Sequence, residues 1–599
     1  MSQKIINTDD LAFLLYELLD IERFTQFPRY EDHSRDTFDA AIELALKVAS
    51  ETFAPHNHAC DEDEPRFENG KVVIRPEVAE ALKVLRDTGL MAASQDYERG
   101  GMQLPAAVSQ TCIGLIKGAN VSTQAYAGLT IAACNLIMAH GTDEQKQRYA
   151  EPMMAGRFFG TMCLTEPHAG SSLGDIKSRA VPQDDGTYRI SGNKIFISAG
   201  DHELSDNIIH LVLAKLPDAP PGAKGISLFI VPKFLVNDDG SLGERNDVTL
   251  AGLIHKMGYR GTTSTMLNFG EKGGAVGYLV GEPHNGLAGM FHMMNEARLG
   301  VGLGSVMLGY TGYLHALEYA RERSQGRPLK ERDPATPMIP IIEHADVRRM
   351  LMAQKAFVEG GLALCLYTAT LIDEKKHADD PAVREEAAGL NDLLTPIVKS
   401  WPSQFCLEAN SLAIQVHGGY GYTREYPVEQ FYRDNRLNPI HEGTHGIQGQ
   451  DLLGRKVAMQ GGKHYQVLLG RIRSTLDACA AIAELEDGAQ RLTADLETLE
   501  EITEVLQALR KTDPERALAN AYLYMECFGH VLVGWLWLRQ AQVALEALQN
   551  GGERPESFYR GKLHACDYFL RYELPKPMAL ASVLRDADRT TLDMPAECF

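Results

Sequence analysis

The sequence is short of positive charge, of paired cysteines and of long apolar runs. Lysine and arginine number 59 against 80 aspartates and glutamates in 599 residues, a formal net charge of −21. That balance disfavours nucleic acid or an anionic membrane as a partner. An anionic ligand would have to be met locally, by arginines, glycine-rich loops or helix N-termini. The ten cysteines are scattered with no C-x-x-C pair, which excludes a disulfide framework or a zinc ribbon and reads as reduced thiols of a cytoplasmic protein. The opening MSQKIINTDD has no basic stretch followed by an apolar one, so no signal peptide is expected. The most apolar late segment, FGHVLVGWLWL (528–538), contains His530 and is flanked by Glu526 and Arg539. It is too short to cross a bilayer, and a buried helix is expected there.

What is present is ordered along the chain. A length of 599 residues exceeds one ordinary core, so several domains are expected. Up to about 155, apolar residues recur at three- and four-residue intervals, as in TFDAAIELALKVASETFAP (37–55) and in the Ala- and Gly-rich stretch 107–141, and predict helices. From FFGTMCLTE through TYRISGNKIFISAG, NIIHLVLAKL and GISLFIVPKFL to TSTMLNFG, the pattern becomes short β-branched and aromatic runs broken by Gly, Asp and Pro. These predict a small antiparallel β domain without βαβ units. Helical spacing returns at 289, is interrupted by SQGRPLKERDPATPMIP (324–340), and resumes beyond QGGKH (460–464), where Leu492, Leu496, Leu499, Leu506 and Leu509 share one face. The expected fold is mainly α with a central β domain. Its parts are an N-terminal helical domain (1–156), the β domain (157–282), a helical bundle (283–459) and an additional C-terminal helical domain (460–599).

Three stretches carry chemistry. His441-Glu442-Gly443-Thr444-His445 matches H-E-x-x-H, in which two histidines one helical turn apart bind zinc and the glutamate is a general base. The match follows Pro439 and contains Gly443, with Gly446 next, a poor setting for the helix it needs. In the long form of the signature Gln448 stands where Gly is required, although Asp451 is permissible as third ligand, and for the other form no Glu follows before Glu484. QVHGGYGY (415–422) is glycine-dense but follows a helical stretch, not a strand, so it is not a dinucleotide fingerprint; alone it is a helix-ending turn. LTEPHAGSS (164–172) offers backbone N–H groups and the hydroxyls of Thr165, Ser171 and Ser172 to a polar ligand at a strand end, or is a plain turn.

Taken in order, LTEPHAGSS, ISGNKIFIS, MNEARLGVG, ARERSQGR and QVHGGYGYTREYPVEQFYRDNRLNPIHEGTHGIQ strongly resemble the acyl-CoA dehydrogenase family of flavoenzymes. SQGRPL and EGTHGIQGQDLLGRK are most similar to its longer bacterial branch, which includes the 3-methylmercaptopropionyl-CoA dehydrogenases and carries an extra helical domain. The resemblance implies FAD as cofactor and an acyl-CoA substrate. Glu442 would remove the α-proton while the β-hydrogen leaves as hydride to flavin N5, giving trans-2-enoyl-CoA as in fatty-acid β-oxidation. A medium or long acyl chain is favoured; the alternatives are 3-methylmercaptopropionyl-CoA and, in another class, a zinc hydrolase using HEGTH.

The resemblance further implies flavin contacts at Met162, Cys163, Leu164 and Thr165, and at Phe196, Ile197 and Ser198. Phe196 stands where the family usually has Trp. Arg323, Gln325, Gln415, Gly418 and Gly419 match positions that reach the cofactor of a neighbouring subunit. Thr444 and Gly446 complete the cofactor pocket. Ser171, Arg298 and Gly443 match positions facing the substrate. Two departures stand out: Gly170-Ser171-Ser172 replaces G-S-D, and Arg323-Ser324-Gln325-Gly326 lacks the Phe of R-x-x-F-G. A homodimer is expected, with an electron-transferring flavoprotein as electron acceptor.

Overall fold

The computed structural model describes residues 5–599; the first four residues of the stretch read for a targeting signal lie outside it. The chain divides into two compact units, one of Asp36–Leu104 and Thr111–Ala297, the other of 5–35, Pro105–Gln110 and Arg298–Phe599.

The first unit is built on an eight-stranded sheet. Seven strands lie in the order Val248–Leu253, Ser264–Phe269, Tyr188–Ser198, Ala275–Val280, Ile226–Pro232, Asn207–Lys215 and Phe158–Cys163, with Arg179–Pro182 alongside Tyr188–Ser198. Pairing is antiparallel as expected except on Asn207–Lys215, to which Phe158–Cys163 runs parallel and which Arg179 also meets in parallel register. A parallel pair needs a long crossover in place of a hairpin, and residues 164–206, which include strand Tyr188–Ser198, supply it. Asn207–Lys215 sends Ile209, Leu211 and Leu213 into one apolar cluster and Val212 and Ala214 into another, so it is apolar on both faces with the strand period of two. Four strands, Arg179–Pro182, Leu242–Arg245, Val248–Leu253 and Ala275–Val280, escaped the sequence pattern. So did the hairpin Arg66–Glu68 with Lys71–Val73, although its Asn69-Gly70 turn, both residues left-handed, is the usual two-residue signal. The Ala-rich stretch forms two helices, Ala106–Ala119 and Val121–His140. They break at Asn120, whose Oδ1 accepts the Thr123 N–H and whose Nδ2 donates to the Phe53 carbonyl.

The second unit is helical. Helices Ala345–His377 and Pro381–His417 form its centre; the link between them ends in Asp380, which caps the second helix by accepting the Ala382 N–H, and Pro381 fills that helix's first turn. Ala345–His377 is apolar and long enough to cross a membrane, but 94% of that apolar window is buried inside the protein. FGHVLVGWLWL lies as expected in a buried helix, Ala521–Asn550. That helix presses so closely on the bundle that a β-carbon at Gly529 would stand 2.5 Å from Trp401.

The N-terminal helical domain is not one piece. Residues 5–35 belong with the second unit because their polar groups find partners there. Tyr30 donates to Asp373, and Tyr310 donates to Asp10, each at 2.8 Å. Asp10 also receives the ammonium of Lys562, which donates at 2.9 Å to both Glu359 and Gln540. Lys355, itself partly exposed, completes this cluster on Glu359. Burial pushes the Asp10 carboxyl up, whereas the two lysines outweigh burial at Glu359 and hold it low.

Candidate active site

PIHEGTHGIQ is a loop that runs into a helix. Thr444 caps helix His445–Gly454, its Oγ1 accepting the Ile447 N–H at 3.4 Å. Ahead of the cap, Glu442 and Gly443 are both left-handed, with φ of 55° and 92°. Two side chains pin this turn from behind: Gln448 Nε2 donates to the Glu442 carbonyl at 2.9 Å, and Lys399 Nζ donates to the Gly443 carbonyl at 2.7 Å. A trans peptide points its N–H opposite to its C=O, so these anchors turn the N–H groups of Gly443 and Thr444 the other way. Among the described residues no protein acceptor meets the N–H of Glu442, Gly443 or Thr444.

This geometry removes the zinc reading. His441 lies in the turn, with Nε2 2.9 Å from Asn438 Oδ1, while His445 is the first helical residue and stacks on Tyr522 at 5.7 Å. The two histidines share no helix face, so the alignment that H-E-x-x-H depends on is missing.

The electrostatics single out Glu442. Burial raises its carboxyl above the ordinary range, against the pull of Arg298 and then Lys399. Lys399, with a side chain entirely out of water, is lowered by burial to about 7; Glu442 raises it and Arg298 lowers it further. Arg298, read from the sequence as a substrate contact, is 5% exposed and carries the fields of Asp451 and Glu442. It therefore acts on the Glu442 loop from inside the bundle.

The expected flavin contacts fall in two places. In the first unit, Phe158–Cys163 leads into Leu164 and Thr165, and the Thr165 carbonyl accepts the Ile195 N–H at 3.0 Å. Strand alternation sorts the residues: Met162 and Leu164 are half-buried, whereas Cys163 and Ile197 are in the apolar core. Those two have only their backbone to offer a ligand. Phe196 is left-handed (φ 59°) and 61% exposed, an unusual state for a large ring at a strand end; Ser198 is half-buried and Ser171 exposed. A buried pair overlooked in the sequence fixes this corner. Lys194 Nζ donates to the Leu164 carbonyl at 2.9 Å and to Glu166 at 3.0 Å, and Glu166 also accepts the N–H groups of Lys177 and Ser178. A lysine inside an apolar strand and an acid at the end of another were the available signals.

In the second unit, a cavity of about 470 Å³ brings together Arg323, Gln325, Gly418 and Gly419 with Tyr319 and His417. Tyr319 and His417 stack at 4.3 Å and were not foreseen. Arg323 and Gln325 are held by backbone pairing of 323–326 with 339–341. A β-carbon at Gly418, Gly419 or Gly446 would meet nothing within 4 Å, so open space lies over these positions. Gln415 is exposed in the last turn of its helix and lies outside the cavity lining.

Comparison with known proteins matches the chain in sequence order to four domains. Residues 36–157, 161–271 and 284–456 match the N-terminal, middle and C-terminal domains of acyl-CoA dehydrogenase, and 468–595 matches the domain described as acetyl-CoA dehydrogenase C-terminal like. The chain belongs to the acyl-CoA dehydrogenase family. It is 38% identical to the 3-methylmercaptopropionyl-CoA dehydrogenase of Ruegeria pomeroyi, across 96% of this chain and 97% of that protein. It is 35% identical to a broad-specificity linear acyl-CoA dehydrogenase of Mycobacterium tuberculosis, across 100% of both. Its fold is similar to the structure of an acyl-CoA dehydrogenase complexed with FAD from Bacillus anthracis, with a TM-score of 0.74, 18% identity and coverage of 96% of this chain and 92% of that one.

As an acyl-CoA dehydrogenase the chain uses FAD, and its residues suit that cofactor. The exposed Phe196 ring offers a flat apolar face. The Arg323 guanidinium and the open Gly418-Gly419 backbone suit phosphate and ribose oxygens.

Proposed function

We propose that this acyl-CoA dehydrogenase oxidises a linear acyl-CoA to the trans-2-enoyl-CoA, with Glu442 as the base that takes the α-proton. The observation that carries this is the Glu442 turn: a carboxyl pushed up by burial beside backbone N–H groups without protein acceptors. A glutamate in water, with a pKa of about 4.3, is too weak a base for a carbon acid, and burial strengthens it. The free N–H groups are suited to the thioester oxygen, where negative charge grows as the α-proton leaves. FAD, when bound, supplies the acceptor for the β-hydride.

For the acyl group, the support is the helix Val121–His140, where Ala125, Gly128, Leu129 and Ala132 form a half-exposed face of small and apolar residues. We read this as room for a medium or long chain. The 38% identity with the Ruegeria pomeroyi protein favours 3-methylmercaptopropionyl-CoA as the second reading, and a panel of acyl-CoAs of increasing length beside that thioester decides between them. Family membership is what supports a homodimer with an electron-transferring flavoprotein as acceptor.

The deciding experiment on the base is Glu442→Gln, which keeps size and shape but cannot take a proton. The variant is expected to fold, stay yellow and bind acyl-CoA, with flavin reduction slowed about 10²–10⁴-fold in the chemical step. Flavin bleaching at the wild-type rate would end the assignment.

A further inference from the structure

Among the described residues, Lys399 is the ionisable side chain that hydrogen-bonds to the Glu442 turn. It projects from helix Pro381–His417, its side chain is wholly buried, and among the described residues its ammonium has one hydrogen bond, to the Gly443 carbonyl at 2.7 Å. Buried lysines ordinarily pair with a carboxylate. Among the described residues none forms an ion pair with Lys399. The charged and titratable groups that act with it come from three elements: Glu442 on the loop, Arg298 on helix Gly286–Glu322, and His445 at the start of helix His445–Gly454. Arg298 repels it, His445 is kept neutral by burial, and Glu442 alone attracts it.

We propose that Lys399 is a positioning residue for the base: it holds the left-handed Glu442-Gly443 turn by the Gly443 carbonyl and, together with Arg298, favours the ionised Glu442 carboxyl against burial. The proposal rests on the reading of Glu442 as the base. Burial by itself favours the protonated Glu442 carboxyl, which is silent as a base. A lysine lowered to about 7 still carries its charge through the acid range in which a raised glutamate titrates, so it opposes that protonation where opposition matters. Gln448 anchors the neighbouring carbonyl without charge and serves as the control.

The test is flavin reduction by acyl-CoA in the FAD-loaded enzyme, followed by stopped flow across pH for wild type, Lys399→Met, Gln448→Met and Glu442→Gln. Without the cation the Glu442 carboxyl is protonated more readily. The acid limb of the rate profile of Lys399→Met should therefore move to higher pH by about one unit, slowing reduction up to about tenfold on that limb, with half-saturation by substrate changed less than about threefold. Gln448→Met should slow reduction at every pH and leave the limb in place, as a purely structural anchor does. Lys399→Gln, which keeps a donor without the charge, should show the same displaced limb; it carries the test if the Met variant fails to load FAD. A limb coincident with wild type in the uncharged variants, alongside an inactive Glu442→Gln, overturns the role of Lys399 and leaves the base assignment standing. A fully active Glu442→Gln overturns the base assignment and this proposal with it.

Discussion

Gln448 Nε2 stands 2.6 Å from the point where a β-carbon on Gly443 would sit. The side chain that anchors the Glu442 carbonyl thus fills the space in which any residue larger than glycine would place its first side-chain atom. Gly443 is also left-handed, with φ of 92°, where L-residues are strained. Gly443→Ala must displace Gln448 or rebuild the turn. The expected cost is about 1–3 kcal/mol locally, with flavin reduction slowed more than about tenfold while FAD content is unchanged. Single-turnover reduction and the FAD-to-protein ratio measure both.

Lys562→Met removes one cation from the buried cluster of Asp10, Glu359, Gln540 and Lys355. The methionine keeps contact with the Phe13 and Trp537 rings that now flank the ammonium at 5.0 and 5.4 Å, so the loss is electrostatic. Leaving a buried carboxylate uncompensated costs about 3–5 kcal/mol. The denaturation midpoint should fall accordingly, and adding Asp10→Asn to the same chain should restore part of it. No fall in the single variant would show that the cluster is neutralised by other means.

His445 gives a pH dependence of stability. Burial, then Lys399 and Arg436, lower its imidazole to about 4. Its folded-state value lies below the unfolded one, so it binds fewer protons in the fold; its contribution is complete above about 6.5 and is lost as pH falls toward 4. At roughly pH 5 this amounts to about 2 kcal/mol. His445→Phe keeps a ring against Tyr522 and removes the titration. The gap in thermal midpoint between pH 8 and roughly pH 5 should narrow in the variant, and an unchanged gap would show that His445 titrates normally in the fold.

Much of the site was legible because local chemistry decides it. Pro439, Gly443 and Gly446 argued against a helix through HEGTH, and the helix does start only at His445. Arg323, Gln325, Gly418 and Gly419, about ninety residues apart in sequence, do line one cavity. What stayed hidden was set by distant partners. Lys399, in a stretch read simply as helical, meets Gly443 across 44 positions. Arg298 looked like a ligand contact and is buried behind the base loop. Residues 5–35 matched the helical spacing of the segment that follows them, and only the partners of Asp10 and Tyr30 assign them to the other unit. Periodicity reports which face is apolar, not which neighbour covers it.

The meeting of Asp10 with Lys562 also sets an order of events during synthesis. A ribosome releases the chain from the N-terminal side, at about 5–20 residues per second. For the whole interval in which some 550 residues follow Asp10, that carboxylate waits for a counter-ion that has not yet been translated. The last step in folding of the second unit therefore waits for residue 562. A nascent chain stalled before position 562 would present an incomplete helical core to the chaperones that receive it.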